Sequence, residues 1–213
     1  MFAFFENSKS LCCVGFAVLA LSANWATAQE TFTNRAEYIG TADSVVVEDF
    51  ESSPLGLLSA GTNDIGSFNV FLGAADTDET TGIVDFGLVD SSREFQADLD
   101  NDHNQELRFD FDQPVFGFGA DFGATLTSDL LTLEINNTTY NLDDFFTRGG
   151  TGFFGVISEQ SFSSVTFGRE NPTSSGEFFS IDNVVLATIP EPSCGLFAAA
   201  FVSFAIVKRK RRR

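Results

Sequence analysis

Three runs in the middle of the chain alternate with a period of two. Leu107, Phe109 and Phe111 are separated by Arg108, Asp110 and Asp112. Phe116, Phe118, Ala120 and Phe122 are separated by Gly117, Gly119 and Asp121, and Leu131, Leu133 and Ile135 by Thr132 and Glu134. Successive side chains of a strand point to opposite faces, so each run presents one apolar face and one polar or small one. Segments 44–50, 67–72, 81–89, 138–142, 152–158, 161–167 and 177–187 have the same strand character. Short strands divided by Gly, Asn, Asp and Ser clusters predict an all-β fold, an antiparallel, jelly-roll-like β-sandwich. One short helix is expected over 34–40, where Asn34 and Glu37 make a capping-box-like start and Gly40 a stop.

The two ends are of a different kind. Lys9 precedes an apolar run from Leu11 to Leu21, small residues follow, and Ala26-Thr27-Ala28 is an A-x-A site. This is the pattern of a secretory signal peptide over residues 1–28, whose apolar helix of about 11 residues is too short to span a bilayer. The alternative is an ordinary N-terminal helix of the fold. At the other end, Pro190-Glu191-Pro192 is followed by an apolar stretch from Cys194 to Val207 and by six cations, Lys208 to Arg213. Such a helix stops in the membrane with its basic end cytoplasmic. Its length of about 14 residues falls short of the roughly 20 of a comfortable span, which favours a transient inner-membrane tether over a permanent anchor. Three segments result: 1–28, an ectodomain over 29–188, and a sorting segment over 189–213.

The chain carries 12 Lys and Arg against 30 Asp and Glu, a net −18, but the average hides the contrast. Between Gln29 and Ile189 five arginines face 28 acids, a net −23, with no Lys, Cys, Met or Trp. That charge disfavours nucleic acid and anionic membrane surfaces as partners of the domain, and no nucleic-acid partner is expected. His103 is the sole imidazole, and all three cysteines lie in the end segments, so most nucleophilic triads and His-rich zinc sites are excluded. Gly117, Gly119 and Gly123 sit in an alternating strand rather than a phosphate-cradling loop. A glycoside hydrolase needs only two carboxylates and is not forbidden. The expectation is nevertheless a protein without catalytic residues.

Two acidic sets are candidate calcium ligands. In the first, Asp98, Asp100, Asp102 and Asn104 recur at every second position, which suits a cation that takes six to eight oxygens. The EF-hand pattern fails there, and the alternative is a solvated acidic turn leading into the Leu107 strand. In the second, Asp49 or Glu51 near the first strand would meet Asp182 on the last, if those strands pair. The alternative is that Asp182 and Asn183 simply organise their strand. The Asp76–Glu79 run reads as a solvated loop. A cation at either set would offset like-charge repulsion. Sugar sites usually offer an exposed aromatic beside convergent polar groups, and the adjacent pairs Phe145-Phe146 and Phe153-Phe154 are expected to turn one ring of each outward.

The C-terminal order of Pro190-Glu191-Pro192, short apolar helix and terminal Arg-rich cluster resembles the PEP-CTERM sorting signal of Gram-negative bacteria. The resemblance implies that these three residues are recognised by an exosortase that processes the tail. It also implies export through the secretion machinery to the cell surface or an exopolysaccharide matrix. The stretches Val47–Glu51, Pro114–Phe122, Gly152–Val156 and Phe179–Val184 are similar to a β-sandwich often found in front of such tails. That likeness implies a lectin-like sandwich, often with a structural Ca²⁺, and supplies no ligand. The expectation is a matrix or surface protein, with a calcium-dependent carbohydrate-binding module as the alternative and a glycoside hydrolase behind it.

Overall fold

The two Phe-rich central runs do not end at their polar interruption. In the computed structural model, which describes residues 29–73, 81–90, 92–99, 106–123, 131–145, 149–170 and 177–188, they form one strand. The elements in chain order are β1 (Gln29–Phe32), α1 (Arg35–Thr41), β2 (Ser44–Glu48), β3 (Gly56–Leu57), β4 (Gly61–Asp64) and β5 (Phe68–Leu72). Then come β6 (Gly82–Val84), β7 (Glu94–Leu99), β8 (Leu107–Gly123), β9 (Leu131–Ile135) and β10 (Thr138–Asn141). A 3-10 turn over Leu142–Asp144, β11 (Gly152–Arg169) and β12 (Glu177–Thr188) complete the set.

Residues nine apart in a straight strand are about 30 Å apart. Yet the rings of Phe109 and Phe118, both in β8, have centroids 6.4 Å apart. The strand therefore folds back on itself, and the bend falls at Asp112-Gln113-Pro114, all exposed. Proline lacks the N–H a ladder needs, which suits it to an interruption. β11 bends likewise, with register shifts against β8 between Ile157 and Ser164 and exposed Glu159-Gln160-Ser161.

Each half of these strands belongs to a different layer. One layer runs β4-β5-β8-β11-β9-β10, through residues 107–111 of β8 and 164–169 of β11. In the other, residues 152–157 of β11 lie between β1 and the 117–122 part of β8, and β12 follows. The far edge of β12 is shared by β7 and β2, with β6 and then β3 beyond β7. Every pairing is antiparallel. Apolar faces of both layers meet around Phe109, whose ring lies 4.8 Å from Phe68, 5.3 Å from Phe95 and 5.0 Å from Phe167. Burying one such side chain stabilises the fold by roughly 1.5–3 kcal/mol, and ring pairs add about 0.5–1.5 kcal/mol each.

A second, smaller core lies on the outer face of the second layer. Phe32, Tyr38, Phe153, Val185 and Ala187 pack there beneath α1 and β1. The helix starts as expected, Asn34 Oδ1 accepting from the backbone N–H of Ala36 (2.9 Å) and Glu37 (3.2 Å). It runs through Gly40 and ends at Thr41. Because this layer is covered on both sides, the expectation that one ring of the Phe153-Phe154 pair faces outward is corrected. Phe154 sits in the main core and Phe153 under the helix, both buried. Phe145 packs against Phe154, their rings tilted with centroids 4.5 Å apart, and is half-buried, and Phe146 lies outside the described residues. So do the end segments with their expected helices. Among the described residues no helix is long and apolar enough to cross a membrane.

Candidate functional site

Strand β12 carries a kink whose cause is local. Its register against β8 shifts between Asp182 and Val185, and Asn183 adopts the left-handed region at φ 49°. Asparagine tolerates that region better than most residues because its short polar side chain bonds locally. Here the backbone N–H of Asn183 donates to Asp182 Oδ1 at 2.6 Å. The kink turns the Asn183 carboxamide toward three carboxylates. Its Nδ2 donates to Asp182 Oδ2 (3.1 Å), Asp121 Oδ2 (3.3 Å) and Asp90 Oδ2 (3.4 Å).

Three elements supply those acids. Asp121 lies on β8 as the cross-strand partner of Asp182, and Arg35 at the start of α1 forms an ion pair with it. Asp90 comes from the loop between β6 and β7. Ser92 ties that loop down: its hydroxyl lies against Asp90 Oδ1 and donates to Asp182 Oδ2 at 3.0 Å. The Ser92 backbone N–H also donates to Asp90 Oδ1, at 3.1 Å. Buried Glu94 pins the same loop, accepting from the Val89 N–H (3.0 Å) and from the Ser180 hydroxyl (2.9 Å).

The electrostatics split the acids. The Ser92 hydroxyl holds exposed Asp90 below the usual carboxylate range. Asp182 is inaccessible to solvent, and burial pushes its carboxyl up to about 6, with the Asp90 charge acting in the same direction. A pocket of about 170 Å³ opens beside Asp90 and Asp121, with Thr151, Gly152 and Phe153 on its other wall. From the same loop Phe86 projects into solvent, 72% exposed, beside exposed Leu88. Leu55 and Leu57 at the adjoining β3 edge are exposed too.

The residues expected to ligate a metal fall out differently. Asp100, Asp102 and Asn104 lie outside the described residues, as do Pro190, Glu191 and Pro192. Asp98 belongs to β7, opposite Phe178 of β12, rather than to a turn. β2 does pair with β12, but Asp49 and Glu51 follow the end of β2 and serve other partners. Asp49 Oδ1 accepts from the Glu51 N–H, and Glu51 Oε1 from the Arg93 N–H at 2.8 Å. Of the second acidic set, only Asp182 enters the cluster. Among the described residues no group of three or more acids, His or Cys is arranged to hold a metal ion. The three carboxylates surround an amide nitrogen instead. Asp90 and Asp121 were missed by sequence reasoning, although Asp121 is the one acid within an otherwise Phe, Gly and Ala strand segment.

No protein-family model matches the chain, and no curated protein does. Among solved structures the chain is similar to the K2 cleaved adhesin domain of Lys-gingipain (Kgp), at 12% identity and a TM-score of 0.44. That match covers 68% of this chain and 100% of the other. The fold described above stands on the strand register, independently of that likeness.

Proposed function

We propose that the chain is an exported β-sandwich protein of the cell surface or extracellular matrix, sorted through its C-terminal segment as an exosortase substrate. The observation that carries this reading is the order of segments: an export signal, an acidic domain, then Pro190-Glu191-Pro192, an apolar stretch and six cations. In the sequence the motif begins two residues after Thr188, where β12, the last described strand, ends. In this reading the membrane tether is an intermediate, and the mature domain binds rather than catalyses. The mass of the exported protein tests it. Loss of Lys208–Arg213 from mature material is expected, and an intact basic tail would sink the processing step.

A second reading, calcium-assisted glycan binding, rests on the excess of acids over arginines in the domain and would seat the ion beside Asp182, with Asp90 and Asp121 as its neighbours. Hard oxygen donors suit Ca²⁺. A cation replacing the Asn183 amide nitrogen between them would neutralise a cluster whose one arginine partner is Arg35. Thermal unfolding at neutral pH is expected to shift upward with millimolar calcium and to return with chelator. Coincident midpoints would remove calcium from the account.

A further inference from the structure

The bends of β8 and β11 do more than connect the two layers. Where they leave the ladder, a groove of about 410 Å³ opens between the β11 bend and the β9–β10 turn. That volume is at the low end of the roughly 300–1,000 Å³ typical of small-molecule sites, enough for a short oligosaccharide. Its position follows from local rules. Bulges re-aim side chains out of the strand alternation, and the β11 register shifts place Ser161, Ser163 and Ser164 along one wall. The facing wall is the two-residue turn Asn136-Asn137, both at positive φ (50° and 61°), as a type I′ hairpin turn requires. Asn136 Nδ2 donates to the Gln160 carbonyl at 3.2 Å, which fixes the turn against the bend.

The chemistry of the lining selects a ligand class. Serine hydroxyls and asparagine amides each donate and accept, which matches the hydroxyls of a sugar ring. Thr166 adds another hydroxyl, and exposed Pro114 adds a C–H surface at the rim. Phe162 contributes little apolar area because it is 5% exposed. Among the described residues Glu134 is the sole charged one of the lining, on a domain where acids outnumber arginines more than five to one. A divalent cation would find one carboxylate there, and a polyanion would find no cation. A greasy ligand would find a lining that is mostly polar.

We infer that this groove is a binding site for neutral, hydroxyl-rich glycans. The inference rests on the glycan-binding reading and gives it a location, on a different part of the sandwich from the Asp182 cluster. The test is titration of the exported chain with a panel of neutral gluco-, manno-, galacto- and xylo-oligosaccharides, with alginate oligomers as the anionic arm. Ser163 is exposed, so Ser163→Tyr fills the groove without entering the core; Ser163→Ala removes one hydroxyl. Phe86→Ala alters the other exposed loop. Binding of a neutral oligosaccharide, weakened at least tenfold by Ser163→Tyr and less by Ser163→Ala, with Phe86→Ala unchanged, is the expected result. If Phe86→Ala abolishes binding and Ser163→Tyr does not, glycan binding stands and the groove assignment falls. Retention of alginate alone overturns the groove, and no binding anywhere in the panel overturns both.

Discussion

Tyr38→Ala is expected to destabilise the domain by about 3–5 kcal/mol, the cost of emptying a buried aromatic site. That is a large part of the roughly 5–15 kcal/mol that holds most domains folded. Tyr38 is fully buried between Phe32 and Phe153, with ring centroids at 5.6 and 5.5 Å, and its hydroxyl donates to the Val185 carbonyl at 3.3 Å. Burial pushes its phenol far above its ordinary value, so it stays neutral and keeps donating. The sheet beneath is shaped to receive it. A Cβ on Gly155 would lie 2.7 Å from Tyr38 Cδ2, and one on Gly117 would lie 2.6 Å from the Tyr38 hydroxyl. Gly155→Ala alone should therefore cost about 1–3 kcal/mol by overpacking. In the Tyr38→Ala background that cost should shrink, because the crowding ring is gone, though Phe153 Cε1 at 2.9 Å keeps it above zero. Urea unfolding of the four proteins closes the cycle. Strict additivity would mean that helix and sheet are not packed as described.

The same glycines mark the limit of what the sequence discloses. Leu107, Phe109 and Phe111 were legible as strand because one of their faces is buried and the other wet, so burial follows a period of two. Gly117 and Gly119 looked like the outward face of a strand, yet they are buried under α1 and Phe153, long-range packing that no local period reports. β7 was missed for a related reason. Five of its six residues are buried, polar Glu94 and Gln96 among them, and Glu94 is sustained by Val89 and Ser180. Phe116, expected on the same apolar face as Phe118, is only half-buried, two residues past the exposed bend of β8, while Phe118 is fully buried. The cluster at Asn183 depended on register. Asp182 was visible as an acid on the last strand, but only the antiparallel pairing of β8 with β12 sets Asp121 beside it. Asp90 joins through Ser92, a contact between residues far apart in sequence with no periodic trace.

That cluster has a thermodynamic signature whose sign follows from Asp182. Its carboxyl is raised from 3.8 to about 6 in the folded chain, so the folded state binds a proton that the unfolded state releases. Between those values stability falls as pH rises, and above about 6 the penalty for holding a buried charge is complete. About two pKa units correspond to roughly 3 kcal/mol, an upper figure for this one group. The domain is therefore expected to be more stable at pH 5 than at pH 7.5, the reverse of a protein held by paired carboxylates. Asp90, held below its ordinary value, acts oppositely, and its contribution is lost only below about pH 4. Asp182→Asn removes the titrating group but keeps only one acceptor oxygen, so either the Asn183 N–H, on Oδ1, or the Ser92 hydroxyl, on Oδ2, loses its partner oxygen. With the oxygen kept for the Asn183 N–H, the new amide nitrogen takes the place of Oδ2, where the Ser92 hydroxyl can turn to accept from it. Relief of the buried charge, less one exchanged hydrogen bond, should stabilise the chain by about 1–2 kcal/mol at pH 7.5, change little at pH 4, and flatten the profile between. Chemical denaturation at pH steps from 4 to 8 measures all three. An unchanged slope in the variant would place the pH dependence elsewhere. Calcium, if it binds here, competes with the same proton, so its effect on the midpoint should shrink from pH 7.5 to pH 5 and be lost in Asp182→Asn.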